Sequence, residues 1–339
     1  MLQLLREPGL SIKTMDELQK AKVRRAIHEL HIEQGVSLSD LAKLIGSKTS
    51  GYTSWVCRQL GVQARDFEEA RLAGIHKKVR KYERKPFDGS DELKAYMLGL
   101  RHGDLYVYRP FGDAIRVSTS TTHPAMAVLF RKLFEPFGHV YQHPRYKKDT
   151  RSYEWNLQTV LDRSFEFLLL NHSESCSWIE LHELRIRGYM AGIIDAEGNI
   201  TMMPSHGKTS LSVSIHNTNL ELISFVTRLL GKLGYHPRGP RLSKPRGPKS
   251  SGYGIEMKKD YWIVGIFRFK EVQKTLMELP LRHAEKIAMK ELAVAMTPGV
   301  PWAMTIQRVK AVRSQQHAER DEFVQRAKLE FLKTHLDPT

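Results

Sequence analysis

Two cysteines, Cys57 and Cys176, are all that the 339 residues contain. They lie far apart and without metal-ligand spacing, which argues against a disulfide framework and a cysteine zinc site and fits a reducing compartment. No apolar run approaches the ~18 residues that a membrane helix needs. Met1-Leu2-Gln3-Leu4-Leu5-Arg6 is too short and too poorly flanked for a secretory signal. Acid is the scarcer charge: 37 Asp and Glu stand against 53 Lys and Arg, a formal net charge of +16. That imbalance leaves the fold open but favours a polyanionic partner. The chain is therefore expected to be soluble and away from membranes, in a prokaryotic cytosol or nucleoid or in an organelle. It begins with Met1 and ends Asp337-Pro338-Thr339, without a starting nucleophile or a closing His-Asn, so an intein is not expected. Its length suits two or three domains.

The sequence does hold an unusual helix-like run at 188–198, Gly-Tyr-Met-Ala-Gly-Ile-Ile-Asp-Ala-Glu-Gly. Gly192 and Ala196, four apart, let a second helix approach backbone to backbone. Glu197 falls just past that contact, at the C-terminal end of the helix, where the dipole disfavours an acid. A second copy lies upstream at 96–104, Tyr-Met-Leu-Gly-Leu-Arg-His-Gly-Asp. Gly99 and Gly103 match Gly192 and Ala196, and Asp104 matches Glu197. If the helices pack through these small faces, two carboxylates meet at two negative helix ends. A divalent cation between them is the physical remedy. Asp195, inside the helix, is expected to be a hydrogen-bonding group rather than a ligand.

The run 190–198 resembles the LAGLIDADG motif of homing endonucleases position by position. The copy at 97–105 resembles it less, with Arg101-His102 at apolar or acidic positions and Leu105 for the closing glycine. The resemblance spans about residues 90–295. It implies an α+β fold, a pseudo-twofold duplicated αββαββα core, in a monomer. It also implies cleavage of double-stranded DNA with Mg²⁺ or another divalent cation held by Asp104 and Glu197, one acid per half, leaving short 3′ overhangs. A basic residue near the attacking water belongs to that scheme, and Lys258 is the candidate. Nicking of one strand is a variant, given the departures at Arg101 and His102.

Periodicity supports the duplication. The two acids are 93 positions apart, and the helix-closing glycines 138 and 234 are 96 apart, as a tandem repeat with a small indel gives. The first half reads as strands about Tyr106 and Val117, a helix from Pro124, strands 139–143 and 152–158, and a helix near 160–171. The second reads as a strand to Met203, a turn at 204–207, strand 209–216, helix 219–233, strands 235–242 and 252–258, and helices 260–275 and 282–294. The expected domains are 1–85, all-α and ending in a basic connector over 76–85; half-domains 86–175 and 176–297; and a charged helical tail 298–339.

Within 15–82, Leu18, Val23, Ile27 and Leu30 stripe one helix. Ser37 and Ser39 are cap candidates for a short helix through Leu41, Ala42, Leu44 and Ile45, and Gly51 to Leu60 forms another. Ala42 and Gly46 at the crossing and turn, with Tyr52 and Trp55 beneath the second helix, match helix-turn-helix spacing. Thr53 and Arg58 would then meet DNA.

The connecting turns inside the second hairpin of each half are expected to be strongly basic. Arg145, Lys147, Lys148 and Arg151 lie in the first; Arg238, Arg241, Lys244, Arg246 and Lys249 lie in the second, with Tyr146, Tyr153, Trp155 and Tyr253 beside them. With Arg116 and Lys208 they are candidates for DNA contact, strands reading the groove and tips gripping phosphate. His123, His143, His216 and His236 read as loop residues. A rival reading keeps the scaffold without cleavage: an intron RNA maturase, a ribosome-linked binder of structured RNA, or a transcription regulator.

Overall fold

The computed structural model describes residues 12–63 (apart from 46 and 48), 82–110, 113–248 and 256–336. The chain divides into two compact units, Met1–Lys81 and Tyr82–Thr339.

The first unit is helical. Helix α1 (Glu17–His28) starts at Asp16, whose carboxylate caps Gln19 in a capping box, and it runs on into a π turn at Glu29–Glu33. Helix α2 (Leu38–Leu44) is capped by Ser37, and α3 (Ser50–Gln59) follows. Val23, Ile27, Leu41, Val56, Cys57, Leu60 and Val62 form their core. Positions 53, 56, 57 and 60 make the inward i, i+3, i+4, i+7 stripe of α3 and its cap. That phase corrects two expectations. Thr53 is fully buried and cannot meet a ligand, while Tyr52 is exposed, stacked on the half-buried Trp55 at 5.8 Å. Arg58 is exposed as expected; Gly46 lies outside the described residues.

The second unit is a duplicated αββαββ core with two antiparallel four-stranded sheets of the same order. The first half runs α4 (Asp91–Gly103), β1 (Tyr106–Tyr108), β2 (Ile115–Thr121), α5 (Pro124–Phe134), β3 (Val140–Lys147) and β4 (Ser152–Leu161). A 3₁₀ turn, Arg163–Leu169, and α6 (His172–Glu180) lead into the second half: α7 (Glu183–Glu197), β5 (Gly198–Ser205), β6 (Lys208–Asn217), α8 (Leu220–Lys232) and β7 (Arg238–Lys244). A small ribbon, β8 (Gly247–Pro248) with β9 (Glu256–Met257), is inserted before β10 (Tyr261–Ile266). The sheets read β1-β2-β4-β3 and β5-β6-β10-β7, so β10 plays the part of β4. Helices α9 (Phe269–Glu278), α10 (Ala284–Val294) and α11 (Trp302–Leu336) close the chain.

Two expected elements change. Residues 261–266 are a strand rather than a helix start. A short apolar run does not distinguish the two by periodicity, and pairing with β6 and β7 decides it. The stretch near 160–171 is strand end and 3₁₀ turn, capped by Asp162 rather than opening an α-helix. The tail helix α11 is packed rather than solvated along its whole length. Val309, Phe323 and Ala327 are buried, the Trp155 indole N–H donates to the Phe323 carbonyl at 2.9 Å, and Thr209 donates to Thr305 at 2.8 Å. It thus touches a strand of each half.

Candidate functional site

The site is built on α4 and α7. A side chain at Gly99 would collide with the Tyr189 carbonyl, one at Gly192 with the Tyr96 carbonyl, and one at Gly103 with the Ala196 methyl. The four small positions read from the sequence are thus the places where the helices touch, and a Cβ at any of the three glycines would push them apart. Their C-terminal ends then arrive together. Asp104 is the C-cap residue of α4 and Glu197 the last residue of α7.

Asp104 opens on a recess of about 480 Å³ whose walls include Thr121, His123, Lys147, Glu154, Glu285 and Lys286. Although its own surface is exposed, the protein crowding around it raises its carboxyl to about 6, against the pull of Lys286 and His123. Glu197 is half-buried. Lost hydration and then the neighbouring Asp104 charge push it to about 7, while an amide hydrogen bond from Asn217 at 3.1 Å and the Lys286 charge act the other way. Lys286 donates to the carbonyl of Gly198, directly after Glu197. Its burial lowers its own pKa, and the carboxylates of Asp195, Glu285, Asp104 and Glu197 raise it.

Behind the acids the two helices anchor each other through a mirrored pair of tyrosines. The Tyr96 hydroxyl of α4 donates to Asp195 of α7 at 2.7 Å; the Tyr189 hydroxyl of α7 bonds His102 of α4 at 2.9 Å. Asp195 also accepts the backbone N–H groups of Arg282 at 2.6 Å and His283 at 3.1 Å, which fixes the entry to α10 and so places Glu285 and Lys286. His102 is held at 3.1 Å from the Leu170 carbonyl, and burial lowers its pKa to about 4. A carbonyl only accepts, so in neutral His102 Nε2 carries the proton and Nδ1 accepts from Tyr189. Arg101 donates to the Leu168 carbonyl at 3.1 Å. The Arg101-His102 departure from the motif therefore secures the 168–170 segment, as Asp195 secures 282–283. Asp195 has the hydrogen-bonding role expected of it.

The open faces of the sheets carry the polar residues. Alternation puts Tyr106, Tyr108, Arg116, Ser118, Ser120, Asn156, Gln158, Tyr141, His143, Arg145 and Lys147 on the same side of the first sheet. On the second sheet Arg241 and Arg238 pair with Ile263 and Gly265, which sit opposite His216 and Ser214 of β6. Arg145, Lys147, Arg238, Arg241 and Lys244 were expected in turns; they lie on β3 and β7, the edge strands, and all are exposed. Outward charge is what an unpaired edge tolerates. Lys148 and Arg151 are in the β3–β4 turn, Lys208 begins β6, and Arg246 stands exposed before β8. Arg116 is half-buried and donates to the Tyr108 hydroxyl at 2.8 Å. Lys249 and Tyr253 lie outside the described residues.

Other expectations need correction. Lys258 is exposed in the turn between β9 and β10 and is absent from the recess; the strand it was assigned to end is β10 instead, and Lys286 is the lysine beside the acids. His143 and His216 are on strands, not in loops. His123 stands at the N-cap position of α5, where its side chain makes no capping bond and instead meets Glu285 at 3.0 Å, and His236 meets Glu271 at 3.2 Å. Asn217, Glu285 and Lys286 were not read from the sequence, and His123 was read only as a loop residue. The tyrosine repeat was visible, but nothing local joins position 286 to position 104.

The donor set suits a divalent cation. Two oxygen donors repel one another and share a lost hydration shell, and a cation would relieve both. Mg²⁺ takes such a pair and completes its shell with waters and phosphate oxygens. Among the described residues no three His, Cys, Asp or Glu side chains form a ready-made cage. No described helix is long and apolar enough to cross a membrane.

Residues 185–264 match the family model of the LAGLIDADG-like domain. Among solved structures, mesophilic variants of the homing endonuclease I-DmoI are similar at 17% identity, covering 56% of this chain and 95% of that one, with a TM-score of 0.38. The N-terminal LAGLIDADG domain of DUF199/WhiA is similar at 13% identity, covering 66% and 97%, TM-score 0.36. I-SmaMI bound to an uncleaved DNA target with calcium ions is similar at 9% identity, covering 66% and 97%, TM-score 0.36. No curated protein sequence matches the chain.

Proposed function

We propose that this protein, whose residues 185–264 match the LAGLIDADG-like domain model, is a monomeric endonuclease that cuts double-stranded DNA at a specific site with a divalent cation. The observation that carries the reading is the convergence of Asp104 and Glu197, both with raised carboxyls, at the end of one glycine-packed helix pair. These two side chains would hold the cation, which supplies positive charge for the scissile phosphate and eases loss of a proton from water.

The remaining roles fall to the chain's own groups. Asn217 orients Glu197 through its amide. Lys286, fixed on the Gly198 carbonyl, places positive charge beside both acids, where a phosphate's added charge would develop. Asp195 holds the turn that delivers Lys286. The two open sheet faces, each edged by a basic strand, suit the major groove on either side of the cut. Arg145, Lys147, Arg238 and Arg241 give phosphate contacts and the Tyr, Ser, Asn and Gln side chains offer groups to base edges. The N-terminal helices add affinity through the exposed side of α3, with Arg58 and Tyr52 outward.

The test is a supercoiled plasmid carrying the DNA junction that flanks the protein's own gene, incubated with the full chain and Mg²⁺. The expected result is nicked and then linear DNA at one position. Tight binding without any cut would overturn the nuclease and favour the non-cleaving binder.

A further inference from the structure

We propose that His123, oriented by Glu285, accepts the proton of the attacking water in the half-site served by Asp104, so that the two strands are cut by chemically unlike half-sites. This rests on the nuclease reading above.

His123 sits where β2 ends and α5 begins. Its backbone N–H donates to the Thr121 hydroxyl at 3.0 Å, and its imidazole Nδ1 lies 3.0 Å from both carboxylate oxygens of Glu285. Both side chains line the recess onto which Asp104 opens. Burial alone would raise the Glu285 carboxyl, but the hydrogen bond to His123 and the charge of Lys286 help to bring it below its ordinary value. Glu285 is thus an ionised acceptor. An acceptor-only partner at Nδ1 puts the ring proton there and leaves the Nε2 lone pair for another proton. A carboxylate fixing the tautomer of an imidazole beside the reaction centre is the arrangement that general-base catalysis requires.

Among the described residues the other half has no equivalent. Asn219 stands at the position of His123, and its side chain is spent on capping α8, accepting from the backbone of Glu221 and Leu222. Glu197 is held by Asn217, an amide that takes no proton. His216 lies on the open face of the second sheet beside Arg241 and Lys244, with its Nε2 3.3 Å from the Ser214 hydroxyl and no carboxylate partner among the described residues. The pseudo-twofold axis therefore relates two acids but not two bases.

In the step, the water proton passes to His123 Nε2 as the water oxygen bonds to phosphorus. The phosphorus–oxygen bond to the leaving strand breaks, and that oxygen takes a proton from solvent. The imidazolium returns its proton to solvent before the next turnover.

The test uses the full chain with Mg²⁺ and a duplex target labelled separately on each strand. His123→Gln should slow one strand by about 10²-fold and leave the other within about twofold. Nicked circles should then accumulate from plasmid, with DNA affinity and melting temperature unchanged. Glu285→Gln should slow the same strand by about tenfold, and added imidazole should restore that strand in His123→Gly. Nitrogen-15 spectra of the DNA-free protein should show His123 protonated at Nδ1. Equal slowing of both strands, no slowing of either, or an Nε2-protonated His123 would overturn the proposal. A wild-type protein that cuts neither strand would overturn the nuclease reading itself, and this role with it.

Discussion

The two halves of the core have the same strand order and the same glycine-packed helix, yet they hold their acids differently. Glu197 closes its helix, is half-buried and takes an amide hydrogen bond; Asp104 caps its helix, opens on a recess, and faces His123 and Lys286. The anchors behind them differ too. Asp195 accepts from two backbone N–H groups and Tyr96, whereas His102 donates to one carbonyl and accepts from Tyr189. Duplication thus preserved the surfaces on which the halves must meet and left each half free to support its acid with other chemistry. The constraint is steric at Gly99, Gly103 and Gly192, and there it leaves no room for a side chain. It is electrostatic at 102 and 195, where several solutions satisfy the same tyrosine.

The largest expected effect is at the acids. If they act as one site, Glu197→Gln should lower cleavage of both strands by at least about 10³-fold while binding persists or tightens, because a carboxylate near phosphate is lost. Gel-shift and cleavage assays on the same preparations check it. Loss of one strand only would mean that the halves work separately. Lys286→Met should cost about 10²-fold in cleavage, whereas Lys258→Ala should leave it within about twofold.

The anchors come next. Asp195→Ala strands three donors and should destabilise the fold by about 3 kcal/mol, against about 1 kcal/mol for His102→Ala, which frees one carbonyl and one hydroxyl. Denaturant unfolding of the core measures the difference. Equal losses would contradict the asymmetry between the two anchors.

Much of this was legible in the sequence, and the limits have physical causes. The small-residue spacing and the acids report a local rule, since a helix repeats every 3.6 residues and its touching face must be small. The sheet faces follow from alternation. The misplaced elements failed where the signal is short: Tyr261–Ile266 is too brief to separate strand from helix without its partners. Thr53 failed by helical phase, because one step around α3 exchanges a buried position for the exposed Tyr52. Lys286 and Glu285 reach the recess beside Asp104 only through tertiary folding, so no local pattern could name them, and His123 shows in the sequence only as a loop residue.

Acidity offers a subtler probe. The carboxyls at about 6 and about 7 lie above their ordinary values, so in the folded protein they keep protons that the unfolded chain has released. Folding stability should therefore fall as pH rises from about 4 to about 7, and Mg²⁺ should restore it. Cation affinity should rise across the same range, by up to roughly tenfold per pH unit for each proton displaced, and level above about pH 8. Melting curves with and without Mg²⁺ check both signs.

The smallest expected effects lie at the strand edges. Removing Arg145 or Arg241 should weaken DNA binding several-fold, and each loss should reduce the salt dependence by about one ion. Similar slopes for the two would show that both sheets grip phosphate; a change for one alone would place DNA on one half only.

The shared site itself is tested most directly by calorimetric titration of Mn²⁺ into the DNA-free wild type, Asp104→Asn, Glu197→Gln and the double variant. A single site held by both acids predicts that either substitution removes binding as fully as the two together. Losses that add, each variant keeping half of the bound metal, would contradict it.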